Sequence, residues 1–127
     1  MPNAFLRART CYDHLAGEIA VQVMQAMLDA GWLAPTATAL AATDLGQAEL
    51  SGLGIDSAQI RSGRRDFARS CIDLTQRRPH LAGALGAALL QLYVREGWIL
   101  RTARSRVVSV TPKGQAAFTR MLEIARA

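Results

Sequence analysis

His14-Leu15-Ala16-Gly17 and His80-Leu81-Ala82-Gly83 are the same four residues written twice, 66 positions apart. Holding that offset lays Gln25 on Gln91 and Gly31-Trp32 on Gly97-Trp98, so that seven of the nineteen positions from His14 to Trp32 are identical. Farther on, Thr43-Asp44-Leu45-Gly46-Gln47-Ala48 matches Thr111-Pro112-Lys113-Gly114-Gln115-Ala116 at an offset of 68. The second copy therefore carries two extra residues between its Trp and its Thr, where a hairpin tip would lengthen. A chain of 127 residues is too short for two ordinary independent domains, so the copies must share one core. This predicts a single domain over 1–127, with one repeat over about 11–55, connecting helices over about 56–78 and a second repeat over about 79–127.

Each copy reads as helix, Gly, short strand pair, helix. From Cys11 to Ala30 the apolar residues Ile19, Val23, Ala26, Met27 and Ala30 fall at helical spacing, and Gly31 supplies a left-handed stop. In the second copy Pro79 stands where a helix can begin and Gly97 where it ends. Ile99 to Arg101 and Val107 to Val110 read as strands joined through Thr102-Ala103-Arg104-Ser105. Thr111 then reads as an N-cap with Pro112 in the first turn, and Phe118, Met121, Leu122 and Ala125 as one apolar stripe. The first copy repeats this with Leu33, Ala39 to Ala42 and a helix from Thr43 to Leu53, closed by Gly52 and Gly54. Between the copies, a short helix is predicted over Asp56 to Ser62 and a firmer one over Arg64 to Thr75, with Gly63 between them and Phe67, Ala68, Cys71 and Leu74 on one face of the second. The expected fold is mainly α with short β-hairpins, built from two winged-helix-like half-units.

Half of the residues are apolar but only 6% are aromatic, which favours helices packed through Ala and Leu. Ala16, Gly17 and Ala20, with Ala82, Gly83, Gly86 and Ala87, permit close packing between the copies or across a dimer. Trp32 and Trp98 read as core anchors at the helix-to-strand corner. The longest uncharged stretch, Pro79 to Val94, is shorter than the roughly 20 residues a membrane-spanning helix needs. The first ten residues lack the pattern of a secretory signal. A cytoplasmic protein with no membrane partner is expected, and Cys11 and Cys71 are then free thiols, read as small buried apolar residues. No phosphate-cradling loop, nucleophile elbow or supported carboxylate pair is present, so the sequence points to no enzyme and no cofactor.

The net charge of +5 is unevenly spread. Residues 1–60 hold two basic against six acidic residues, a net of −4, and residues 61–127 hold thirteen against four, a net of +9. A basic half attracts polyanions, nucleic acid first among them. Arg101, Arg104 and Arg106 on the second wing, with Arg77, Arg78 and Lys113, form the candidate DNA-contact set, suited to phosphates. The stretch from His80 to Tyr93 is a poor recognition helix. Its only strongly polar side chains are His80 and Gln91, and a helix apolar on nearly all sides belongs in a core.

The strings Ala8-Arg9-Thr10-Cys11-Tyr12-Asp13-His14-Leu15-Ala16-Gly17, Cys71-Ile72-Asp73 and Arg77-Arg78-Pro79-His80-Leu81-Ala82-Gly83-Ala84-Leu85-Gly86-Ala87-Ala88-Leu89, with Gly97-Trp98-Ile99 and Thr111-Pro112-Lys113-Gly114, resemble the C-terminal half of ArsR-like helix-turn-helix transcriptional regulators. The resemblance covers nearly the whole chain. It implies a bacterial transcription regulator, DNA as partner and a homodimer, with a separate helix-turn-helix domain of roughly 90 to 100 residues ahead of the Cys-Tyr-Asp-His string. The alternative expectation is an effector-sensing or dimerisation module with no DNA contact of its own. Because ArsR-like proteins include metal sensors, Cys11, Asp13, His14, Cys71, Asp73 and His80 form a possible effector or metal site of thiolate, imidazole and carboxylate donors. Cys11 and His14 would share a helix face, with His80 in a related position. No tight CxxC or HxxxH pair accompanies them, and each histidine could instead hydrogen-bond a neighbouring half. No metal is assigned at this point.

Overall fold

Tyr12 and Asp13 turn the chain back on itself between β1 (Arg9–Cys11) and β2 (His14–Ala16), pairing Cys11 with His14 and Arg9 with Ala16. The computed structural model describes residues 3–61, 63 and 65–126, the side chains of 124–126 excepted. Ala125's side chain, Ser62 and Arg64 thus lie outside the described residues. A short helix α1 (Asn3–Arg7) precedes the hairpin. After it come α2 (Glu18–Asp29), the hairpin β3 (Leu33–Pro35) and β4 (Leu40–Ala42), α3 (Asp44–Gly52) and the short α4 (Ser57–Arg61). The order then recurs: β5 (Arg69–Ile72) with β6 (Pro79–Ala82), α5 (Gly83–Arg95), β7 (Ile99–Arg101) with β8 (Val108–Val110), and α6 (Pro112–Arg126). The described residues thus form a mixed α/β fold of six helices and four two-stranded antiparallel hairpins, in which hairpin–helix–hairpin–helix occurs twice.

Two stretches expected to be helical contribute strands instead. Cys11 to Ala16 was expected to open a helix, but it forms most of the first hairpin. Arg64 to Thr75 was expected as a helix, but Arg69–Ile72 pairs with Pro79–Ala82, from Arg69 opposite Ala82 to Ile72 opposite Pro79. Tyr12 adopts the left-handed backbone needed in so tight a turn, with φ of 58°, although it is not the Gly or Asn that marks such turns in a sequence. Pro79 begins a strand rather than a helix, and as the first strand residue its missing N–H costs no interior ladder bond.

The two Gly-Trp corners are built alike, atom for atom. Gly31 and Gly97 follow α2 and α5 with φ of 78° and 72°, the left-handed step that ends a helix and turns Trp inward. Thr43 Oγ1 donates to Gly31 O at 2.5 Å and accepts from Gly46 N at 3.0 Å. Thr111 Oγ1 donates to Gly97 O at 2.6 Å and accepts from Gly114 N at 2.9 Å. Each threonine therefore caps its following helix and ties it to the corner. A Cβ at Gly46 or Gly114 would overlap the carbonyl oxygen of Trp32 or Trp98.

The copies are interlocked. Leu40 N donates to Ala68 O at 3.0 Å, and its counterpart Val108 N donates to Ala8 O at 3.3 Å, so each copy's second hairpin reaches the residue just before the strand that opens the other. Likewise α2 packs on β6 while α5 packs on β2. Leu15, Val23, Met24 and Met27 from one copy and Leu81, Leu85, Leu89 and Tyr93 from the other belong to one continuous apolar cluster, as do Trp32, Phe118 and Met121. Burying each such side chain contributes about 1.5–3 kcal/mol. The small residues serve this packing between copies: a Cβ on Gly86 would press on Leu81 O and on Cβ of His14. Trp98 stacks on Tyr93 with centroids 5.4 Å apart, and both indoles border a cavity of about 250 Å³ flanked by Glu49 and Arg120. No helix among the described residues is long and apolar enough to cross a membrane.

Candidate functional site

Strand pairing decides where the Cys and His residues go. In β1–β2 the partner of Cys11 is His14, and in β5–β6 the partner of Cys71 is His80. The spacing of three in the first copy is thus a cross-strand pair at a two-residue turn, not a shared helix face. The two hairpins meet so that one ligand atom from each of Cys11, His14, Cys71 and His80 lies within 4.8 Å of all the others. His14 Nε2 and His80 Nε2 stand 3.0 Å apart, with ring centroids separated by 4.9 Å. Both histidines are buried, whereas both cysteines are half-buried free thiols. The expectation of fully buried cysteines is corrected accordingly.

Each imidazole is held from behind by a carboxylate of its own copy. His80 Nδ1 lies 2.8 Å from Asp73 Oδ1, and His14 Nδ1 lies 3.3 Å from Asp13 Oδ1. An ionised carboxylate only accepts, so each Nδ1 is the donor, and a neutral ring then presents a bare lone pair at Nε2. Burial lowers the pKa of both histidines against the raising influence of their carboxylates, and His80 adds to the lowering at His14. At Cys71, burial and the neighbouring Cys11 both push the thiol up. Two lone pairs and two thiols therefore converge on one point.

Asp73 is fully buried. Burial alone would raise its pKa, but the backbone N–H groups of Gly17 and Gln76, then His80 and Arg9, hold it far below the ordinary carboxylate range. Its Oδ1 also accepts from Gly17 N at 2.7 Å, and its Oδ2 from Arg9 Nη2 at 3.2 Å. Asp13 is less enclosed: Arg65 Nη1 approaches its Oδ2 to 2.5 Å, and that hydrogen bond is the main cause of its lowered pKa. The two copies differ here, for Arg9 is buried and Arg69 exposed.

Sequence reading singled out all four donors and both carboxylates, yet missed Arg9 and Arg65. It also missed the pattern that unites the donors. Ala8-Arg9-Thr10-Cys11-Tyr12-Asp13 matches Ala68-Arg69-Ser70-Cys71-Ile72-Asp73 at an offset of 60. The six residues added between Asp73 and His80 hide this match from an alignment anchored on His-Leu-Ala-Gly.

The cationic set is dispersed by comparison. Arg77 sits in the β5–β6 loop with φ of 58° and Arg104 at the tip of the second wing with φ of 59°; both are exposed. Arg78 Nη2 donates to Gln25 Oε1 at 3.3 Å, and Lys113 is exposed in the first turn of α6. Arg106 Nε donates to Thr10 O at 2.8 Å and its guanidinium stands 5.9 Å from the Phe5 ring, which docks the wing on the first hairpin. Arg101 is exposed at the end of β7.

Against known proteins, the chain is 42% identical over 117 residues to YdfF of Bacillus subtilis, an uncharacterized HTH-type transcriptional regulator. The match takes in 92% of this chain and 52% of that protein, so the chain spans about half the length of the curated relative it matches. No family model matches the chain, and no solved structure does.

Proposed function

We propose that this chain is the regulatory body of a bacterial transcriptional regulator of ArsR-like type: a single domain of two winged-helix-like repeats that receives a signal and organises the assembly, without itself reading base sequence. The observation that carries this is the burial of both helices that precede a wing. In α2 the residues Ile19, Val21, Val23, Met24 and Met27 are buried, and in α5 Leu85, Leu89, Leu90, Leu92 and Tyr93 are. A recognition helix must instead lie open in a major groove with several polar side chains at base edges. The 42% identity to an HTH-type regulator supports the regulatory setting. Homodimerisation belongs to the same reading, with exposed Tyr12, Ile72 and Leu74 beside the two cysteines as the apolar surface it would cover.

The exposed wing supports a second, narrower reading, in which Arg101 and Arg104 touch phosphates while base recognition comes from elsewhere. Titrating a labelled mixed-sequence duplex with the chain at rising salt tests both. The expected result is weak binding with no sequence preference, whose log affinity falls with log salt at a slope of about −2 to −3, the release expected for two or three phosphates. Arg101→Glu with Arg104→Glu then flattens that slope. Absence of any binding at low salt removes the phosphate reading, and sequence-selective binding that persists at physiological salt overturns the regulatory one.

A further inference from the structure

We propose that Cys11, His14, Cys71 and His80 form a four-coordinate site for a zinc-class divalent cation, with one thiolate and one imidazole drawn from each repeat. Tetrahedral zinc, with bonds of about 2.0–2.3 Å, spaces its ligand atoms about 3.3–3.8 Å apart. The four donors here lie within 4.8 Å of one another, so small side-chain rotations close them on a common centre. The geometry of the histidines points the same way. Each Nδ1 faces a carboxylate, Asp13 or Asp73, which turns both Nε2 lone pairs toward each other at 3.0 Å. Two acceptors so placed repel unless a cation binds both or the rings share a proton. The carboxylate–imidazole–metal relay is also the usual support of metal-binding histidines, fixing the tautomer and strengthening the donor.

The donor set selects the ion. Two thiolates neutralise a dication, so the partly buried site carries no net charge when filled, and thiolate with imidazole favours zinc and similar borderline or soft ions over magnesium or calcium. Four protein ligands leave no open position, which marks a structural or regulatory site rather than a catalytic one. The half-buried cysteines provide the way in. Because the ligands come from the first and third hairpins, the ion clamps the two repeats together at the end of the interface where β2 meets β6. Occupancy then stabilises the folded chain by mass action.

The test uses the full chain, reduced and stripped with a chelator, titrated with Co²⁺ and then Zn²⁺. We expect one Co²⁺ per chain, with the strong visible absorption of a tetrahedral ion and a thiolate-to-metal charge-transfer band, both displaced by one equivalent of Zn²⁺. Zn²⁺ should also raise Tm. Cys11→Ser or Cys71→Ser should weaken the charge-transfer band, and His14→Gln or His80→Gln should lower affinity. Asp13→Asn, at a half-exposed position away from the core, should lower affinity about 10- to 100-fold through its histidine, and it keeps the test decisive where a buried histidine variant fails to fold. A six-coordinate Co²⁺ spectrum without thiolate absorption, binding indifferent to Cys71→Ser, or no binding at micromolar Co²⁺ would overturn the proposal. None of these outcomes bears on the duplex titration, so the regulatory reading and the metal site can fail separately.

Discussion

The carboxylate of Asp73 accepts six hydrogen bonds from five residues: Gly17, His80, Arg9, Gln76 and, twice, Thr75. It is fully buried beside a guanidinium that is only 1% exposed. Removing one partner of such a pair leaves an uncompensated charge in the interior, at a cost of about 3–5 kcal/mol. Asp73→Ala strands Arg9 and the N–H of Gly17, so we expect a loss of that size. Arg9→Met should cost distinctly less, because the Asp73 carboxylate keeps its other donors. Urea denaturation midpoints measure both, and equal losses or a reversed order would refute this account of the site. Asp73 and His80 were visible in the sequence as chemistry-bearing residues, but Arg9 was not. A single arginine near the N-terminus reads as a surface cation, and its partner lies 64 residues away.

At the scale of elements, the tightest approach among the described glycines is the seat of α3 and α6 on their Gly-Trp corners. The nearest neighbour of a Cβ added at Gly46 or at Gly114 is a backbone carbonyl rather than a flexible side chain, so the helix itself must move. Forced overpacking of this kind costs about 1–3 kcal/mol. Gly46→Ala and Gly114→Ala are therefore each expected to lower stability by about that amount, and by similar amounts in the two copies, as read by thermal or urea unfolding. A neutral effect at either position would contradict the geometry. These corners were legible in sequence because the Gly, Trp, Thr and second Gly recur in register. The hairpins over 9–16 and 69–82 were not: they lack a Gly or Asn turn signal, and strands of three or four residues are too short for alternation to show.

Across the whole molecule, the apolar cluster runs without a break from Leu15 and Met24 to Leu85 and Met121, and each copy completes the other's packing through the reciprocal bonds of Leu40 with Ala68 and Val108 with Ala8. Neither repeat buries its own central helix alone. The chain should therefore unfold as one cooperative unit, so that tryptophan fluorescence and far-ultraviolet circular dichroism report coincident urea transitions. Two separated transitions would show that the repeats stand independently.

What the sequence determined by itself is the recurring pattern of corner and cap and its local machinery, because a helix stop, a capping threonine and a close-packed glycine are each set by neighbours within about fifteen residues of the chain. It also named the six residues whose chemistry converges between the repeats. Only the tertiary structure decided that they do converge, for no single copy holds four donors and the donors of the two copies are separated by 57 residues or more. Their meeting depends on two short hairpins, which the sequence does not announce, packing against each other through β2 and β6, and on two carboxylates, Asp73 buried and Asp13 half-exposed, that hold both imidazoles from behind.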